Sequence, residues 1–114
     1  MRVDRRDEDG VAVVTVAEPG EIDIDRAEAF RDSVLAAAGD ARRVVLDCTL
    51  VEFFDSAGMG ALLSVQKEIV QHRHGAFALA GLHRNVLEVF RMVGFDVIFT
   101  FHPDAAAAVA AVRG

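Results

Sequence analysis

Between Val44 and Val70 the sequence changes character in a way that few folds can accommodate. An apolar, β-branched run from Val44 to Leu46 passes through a short polar connection into Phe53-Phe54, then into Asp55-Ser56-Ala57-Gly58. After Gly58, apolar residues at Met59, Leu62, Leu63, Ile69 and Val70 recur at three-to-four spacing, which gives one buried helical stripe. The segment reads as a strand, a loop and a helix that begins at about Ser56. Asp and Ser are side chains that cap unpaired amides at a helix N-terminus, and that end carries a partial positive charge. Read from these residues alone, Ser56 is a helix cap, or a hydroxyl set in an anion-favouring position.

The rest of the chain alternates in the same manner. Asp9-Gly10 lies between a short N-terminal segment and the run Val11 to Val16 and favours the backbone angles of a tight hairpin. The first two strands are therefore expected to be antiparallel. Beyond Pro19-Gly20, Asp25 and Glu28 have the spacing of a capping box, and Ala27, Phe30, Val34, Leu35 and Ala38 mark a helix that Gly39 can close. Alternation of Arg43, Val45 and Asp47 against Val44, Leu46 and Cys48 suggests a sheet with one covered and one more open face.

After the central helix, His74-Gly75 supplies a glycine C-cap, and Ala76 to Ala80 reads as a strand. Val86, Leu87, Phe90 and Val93 mark a third amphipathic helix ended by Gly94. A last short strand falls within Phe95 to Phe101, and Pro103 lies in the first turn of an alanine-rich helix. The order β-β-α-β-α-β-α-β-α implies parallel pairing through right-handed crossovers. The expected class is α/β: a mainly parallel sheet of about four or five strands with helices mostly on one face.

A length of 114 residues suits one domain, 1–114. The formal net charge of -6 argues against nucleic acid and anionic membrane surfaces as partners. Trp and Tyr are absent, and the eight Phe fall mostly in apolar patterns, so no base-stacking platform is evident. Cys48 stands alone and has no disulfide partner within the chain, which fits a reducing compartment. The charged N-terminus lacks the apolar core of a secretory signal, and no apolar run reaches the roughly 18 residues of a membrane span, so a cytoplasmic location is expected.

Catalytic and metal patterns are weak. A hydrolase nucleophile elbow needs Gly-x-Ser-x-Gly, but Phe54 and Gly58 flank Ser56 at those positions. His72 and His74 are two apart and point to different faces of a helix, with no Cys or carboxylate cluster to complete a metal site. No catalytic residue, metal or cofactor is assigned.

Phe-Phe-Asp-Ser-Ala-Gly-Met-Gly-Ala-Leu-Leu, preceded by Val-Val-Leu-Asp, resembles the signature of the STAS family, and most closely its stand-alone anti-sigma factor antagonists. Gly20-Glu21-Ile22-Asp23 resembles the family's Gly-Glu-Leu-Asp, and Leu87 to Gly94 its later helix ending in glycine. The resemblance implies the STAS fold, with strands and helices wound as a β-α superhelix behind an antiparallel N-terminal hairpin. It also implies a phosphorylation-controlled partner switch in which an anti-sigma factor serine kinase binds this chain and phosphorylates Ser56, and a phosphatase reverses the step.

The partner surface carried over from the family comprises Glu21, Asp23, Asp55, Ser56, Ala57, Gly58, Met59 and Gly60. Glycines at 58 and 60 would let a partner's backbone come close, and Met59 is first a core residue. Asp23 and Asp55 are either local turn and cap residues or lining for the acceptor site. Two departures from the family pattern are Ala57, where a second Ser or Thr is usual, and Glu18-Pro19 before Gly20, where an apolar residue is usual. Alternatives of other classes are a non-phosphorylated subunit of a transport ATPase and a small-ligand or nucleotide-binding domain.

Overall fold

The computed structural model describes residues 1–114. Asp9 and Gly10 both adopt left-handed backbone, φ 53° and 77°, the combination that a two-residue hairpin requires. They join β1 (Val3–Glu8) to β2 (Val11–Val16) in antiparallel register, Val3 opposite Val16 and Glu8 opposite Val11. β3 (Gly20–Ile22), α1 (Ala27–Ala38), β4 (Arg43–Asp47), β5 (Val51–Phe54) and α2 (Ser56–Gln66) follow. The chain is completed by β6 (Ala76–Ala80), α3 (Arg84–Met92), β7 (Thr100–His102) and α4 (Ala105–Val112).

The main sheet has the order β1-β2-β4-β6-β7 and is parallel from β2 onward. Its architecture is the expected one, a mainly parallel sheet with an antiparallel hairpin at one edge. Two short strands were not expected. β3 and β5 leave the main sheet and pair with each other in parallel, Ile22 beside Phe54. At three and four residues they are too short to show a periodicity, and each is a strand because the other is beside it.

α1, α2 and α3 cover one face of the sheet over a core in which Phe30, Phe54 and Phe90 are fully buried. Phe30 meets Phe54 edge-on with ring centres 5.8 Å apart, and Phe54 leads on to Phe90 at 5.4 Å and Phe90 to Phe95 at 5.0 Å. The opposite face is not left open. Val11, Val13, Val45, Ala78 and Ala80 are buried there beneath Ala105, Ala108 and Val109 of α4. Strand alternation sends Val44 and Leu46 to the large core and Val45 to α4, and alanine on both surfaces lets the helix lie close.

Three local expectations are corrected. The entry to α1 is organised by Asp23, not by Asp25 and Glu28: Asp23 Oδ1 accepts from the amides of Asp25 and Arg26 at 3.1 and 3.2 Å, and its carbonyl accepts from Ala27 at 2.8 Å. After α2 the helix continues through a wider π-helical turn, Lys67–His72, and its left-handed exit residue is His74, φ 55°, rather than Gly75. Gly75 is required for another reason, since a Cβ there would sit 2.1 Å from the carbonyl oxygen of Arg42. Pro103 precedes α4 instead of entering it, and Asp104 is the cap, accepting from the Ala107 amide at 2.8 Å.

Phe54 touches both Phe30 and Phe90 and ends β5, so it couples the small sheet to the large core. Phe54→Ala is expected to lower unfolding free energy by about 3–5 kcal/mol in urea titration, the usual cost of emptying a fully buried aromatic site. A loss below about 1 kcal/mol would show that the two sheets hold together without it.

Candidate functional site

Glu21, Asp23 and Asp55 follow from the pairing of β3 with β5, because two parallel strands deliver their C-terminal ends to the same place. Asp55 makes the junction. Its Oδ1 accepts from the Gly58 amide at 2.9 Å and caps α2, while Oδ2 accepts from the Ile24 amide at 3.1 Å, just beyond β3. One carboxylate therefore fixes both the start of α2 and the turn that leads to α1.

Ser56 is thereby released from the capping role that its sequence position suggested. It is the first residue of α2, its side chain is exposed, and the cap is Asp55. The amides of Ser56 and Ala57 have no partner within the chain, as expected of the first turn of a helix. The Ser56 hydroxyl stands at the positive end of α2, beside two unpaired N–H donors.

The two glycines of the motif divide their work. Gly58 is buried, and a Cβ there would meet the Ile22 carbonyl oxygen at 2.1 Å, so this glycine lets α2 press against β3. Its close neighbour is this chain's own backbone and not a partner's. Gly60 has nothing within 4 Å of a Cβ position and is exposed. Ala57 is half-buried beside Ser56, and Met59 is half-buried and packs on the large core.

Arg26 and Ile24 belong to the site and were not singled out from the sequence. Arg26 pairs with Glu18 and donates to the Glu21 carbonyl at 3.2 Å, bracing the strand that carries Glu21 and Asp23. This gives Glu18 a purpose where an apolar residue was expected, and the backbone amide of Arg2 and the Arg26 guanidinium hold its carboxyl below the usual range. Ile24 is 76% exposed. It ends a groove of about 270 Å³ between α1 and α2, floored by Ala57, Gly60, Ala61 and Ser64. An isoleucine between Asp23 and Asp25 was the available signal.

Asp23 Oδ1 is engaged by its own turn, which leaves Oδ2 free, and Glu21 is exposed. No group of three His, Cys, Asp or Glu side chains is placed to hold a metal ion. Cys48 is buried, and desolvation, with a smaller contribution from the Asp47 charge, pushes its thiol well above the ordinary range. No helix is long and apolar enough to cross a membrane.

The STAS domain family model matches residues 2–108. BtrV of Bordetella bronchiseptica, named for an anti-sigma factor antagonist role, is 38% identical over 84 residues, covering 72% of each chain. The crystal structure of an anti-sigma factor antagonist from Mycobacterium paratuberculosis superposes with a TM-score of 0.84 at 28% identity, over 99% of this chain and 94% of that one. The phosphorylated form of SpoIIAA, a Bacillus cell fate determinant, shares the fold with a TM-score of 0.67 at 20% identity, over 98% of this chain and all of that one.

The roles of the two glycines predict opposite outcomes. Gly58→Ala forces α2 away from Ile22 and is expected to cost at least about 2 kcal/mol in urea unfolding. Gly60→Ala, at an open helical position, is expected to raise stability by up to about 1 kcal/mol. Equal effects at the two positions would contradict the close approach of α2 to β3.

Proposed function

The chain belongs to the STAS domain family, among its anti-sigma factor antagonists, and from that membership we propose that it is the protein substrate and ligand in a kinase-controlled partner switch. In this reading residues 1–114 act as one domain in the cytoplasm. Unmodified, the chain binds an anti-sigma factor and frees the sigma factor. Phosphorylation of Ser56 by the anti-sigma factor, acting as a serine kinase, ends the binding, and a phosphatase restores it. The chain is a regulatory binding protein and no enzyme.

The observation that carries this reading is the exposed Ser56 hydroxyl on a rigid frame in which Asp55, not Ser56, caps the helix. A serine needed as a cap would resist modification. This one can accept a phosphoryl group without loss of the bonds that hold α2. With Ala57 in the next position, Ser56 is the one hydroxyl in the loop.

Phosphoryl transfer depends mainly on positioning and charge neutralisation, and the kinase would supply ATP, Mg²⁺ and cationic groups. The antagonist's part is to present Oγ. In this reading Glu21, Asp23, Gly60 and the α1–α2 groove, which Ala57 and Gly60 help to line, form the docking surface for the partner, with Met59 at its edge and the Asp55 cap and Gly58 as support.

A phosphate adds about 1.5 to 2 negative charges beside Asp55 and near the Asp23 turn. The free helix amides return only about 0.3–2 kcal/mol. Two unit charges about 4 Å apart near a surface repel by about 4 kcal/mol before salt screening. The helix end offsets only part of the new charge, so any acidic or tightly packed partner surface over Ser56 loses affinity. A net penalty of about 3 kcal/mol weakens binding roughly a hundredfold.

Intact-mass spectrometry of protein from its native cells should show one phosphate on the wild type and none on Ser56→Ala. Ser56→Ala should retain anti-sigma factor binding in calorimetry, and the phosphorylated wild type should bind roughly a hundredfold more weakly. A folded Ser56→Ala that fails to bind, or a phosphate at another residue, would overturn the switch.

A further inference from the structure

We propose that the turn between α3 and β7 is a self-association surface, on which a second copy of this chain docks about a two-fold axis. Six large apolar side chains are exposed, and four of them, Met92, Val93, Val97 and Ile98, fall within the seven residues from Met92 to Ile98. Exposed apolar residues scattered singly are ordinary, whereas a cluster marks a surface that something covers. Met92 and Val97 are the most open, at 81% and 88%.

The cluster is held rigidly. Phe95 and Phe99 are buried beside it, with Phe95 5.0 Å from Phe90 and 5.2 Å from Phe99 between ring centres. The Gly94 amide donates to the Arg91 carbonyl at 3.1 Å, and the amides of Ile98 and Phe99 donate to the Phe95 carbonyl at 3.0 and 2.8 Å. From α2, Gln66 Nε2 donates to the Ile98 carbonyl at 3.1 Å. A surface fixed in this way has little conformational entropy left to lose on binding.

Charge identifies the occupant. Arg91 and Asp96 are exposed and take part in none of the chain's ion pairs. Glu88, one helical turn before Met92, is paired with Arg84 at 3.3 Å and leaves Arg91 uncompensated. Arg91 precedes Met92 and Val93, while Asp96 precedes Val97 and Ile98, so the apolar surface has a cationic half and an acidic half. In a two-fold interface one patch meets itself in the opposite sense, residue i of one copy against residue j of the other. Arg91 of each copy then faces Asp96 of the other, on either side of an apolar centre. Gly94 lies between the halves with nothing within 4 Å of a Cβ position, which lets the two backbones come close at the axis.

Area sets the strength. At their exposures the four side chains present on the order of 500 Å² of surface, so two copies remove about 1,000 Å² from water, the lower limit for a specific interface. The dimer is therefore a reversible one. The sheet edges offer no rival contact: β7 has three residues and is followed by Pro103, and β1 presents Asp4, Arg5, Arg6 and Asp7. Gln66 stands ten residues along α2 from Ser56, about 15 Å, which places this surface apart from the serine.

The test is sedimentation equilibrium of the full chain from about 10 µM to about 1 mM, the range suited to a small interface, with circular dichroism to confirm that each variant is folded. The wild type should pass from monomer to dimer and no further. Val97→Glu should stay monomeric with an unchanged thermal midpoint. Arg91→Glu and Asp96→Arg should each lower dimer affinity at least tenfold, because each sets like charges across the axis. An equimolar mixture of these two variants should recover dimerisation, since both pairs across the axis are again of opposite sign. Loss of a merely structural contact would not be rescued by mixing. A wild type that stays monomeric, association that continues beyond the dimer, a Val97→Glu that dimerises like the wild type, or a mixture no more associated than its components would overturn the proposal.

Discussion

The two oxygens of Asp55 hold together the part of this protein on which the rest of its surface chemistry depends. One caps α2 through Gly58, the other fixes the Ile24 amide at the exit of β3. The bonds are short-range, but their effect is not local. Because β3 and β5 form a sheet of their own, no long ladder of hydrogen bonds sets the relation between the Asp23 turn and the start of α2. The Asp55 carboxylate, the contact of Gly58 with Ile22 and the burial of Phe54 do so instead. A charge-assisted bond to a backbone amide is stronger than a neutral one, which suits a carboxylate to this place.

Such a frame separates stability from modification. The aromatic contacts from Phe30 to Phe99 and the alanine-lined face beneath α4 supply the buried area that holds the domain together. Ser56 contributes to neither, being exposed and without a role in the cap. A charge added to it changes what can approach the helix end and removes none of the bonds that cap α2. This division is what a reversible surface switch requires, because a switch that unfolded its carrier would also expose the core.

The sequence made the main sheet readable wherever a strand or helix was long enough to show its period. Val11 to Val16, Ala76 to Ala80 and the stripe from Val86 to Phe90 fall where expected, and Asp9-Gly10 makes the expected hairpin. Ser56 and its neighbours were found through a motif, and β3 with β5 escaped because their strand character comes from each other and not from their own residues. The capping residues were misassigned for a related reason. Asp23, Asp25, Asp55 and Ser56 all have capping chemistry, and only the three-dimensional path of the chain decides which oxygen meets which amide. The alternation of Arg43, Val45 and Asp47 suggests a more open second face, yet Val45, Ala78 and Ala80 are buried there beneath Ala105 and Ala108, because α4 follows the last strand and packs on the side away from the other helices.

The two ends of the sheet differ in what the fold itself imposes. In open α/β sheets the crevice outside the C-terminal ends of the strands is the usual place for function, since loops there are free to vary over a fixed scaffold. Ser56 follows that rule, standing directly after β5. A cavity lined by Arg42 and Arg43 lies at the N-terminal ends of β4 and β6, where the fold provides no ready-made site. A helical segment of 17 residues, Ser56 to His72, runs from the serine to the edge of that cavity, about 25 Å at the rise of an α-helix. The π-helical turn, Lys67–His72, lies at its far end, where the regular ladder of the α-helix gives way to wider bonding.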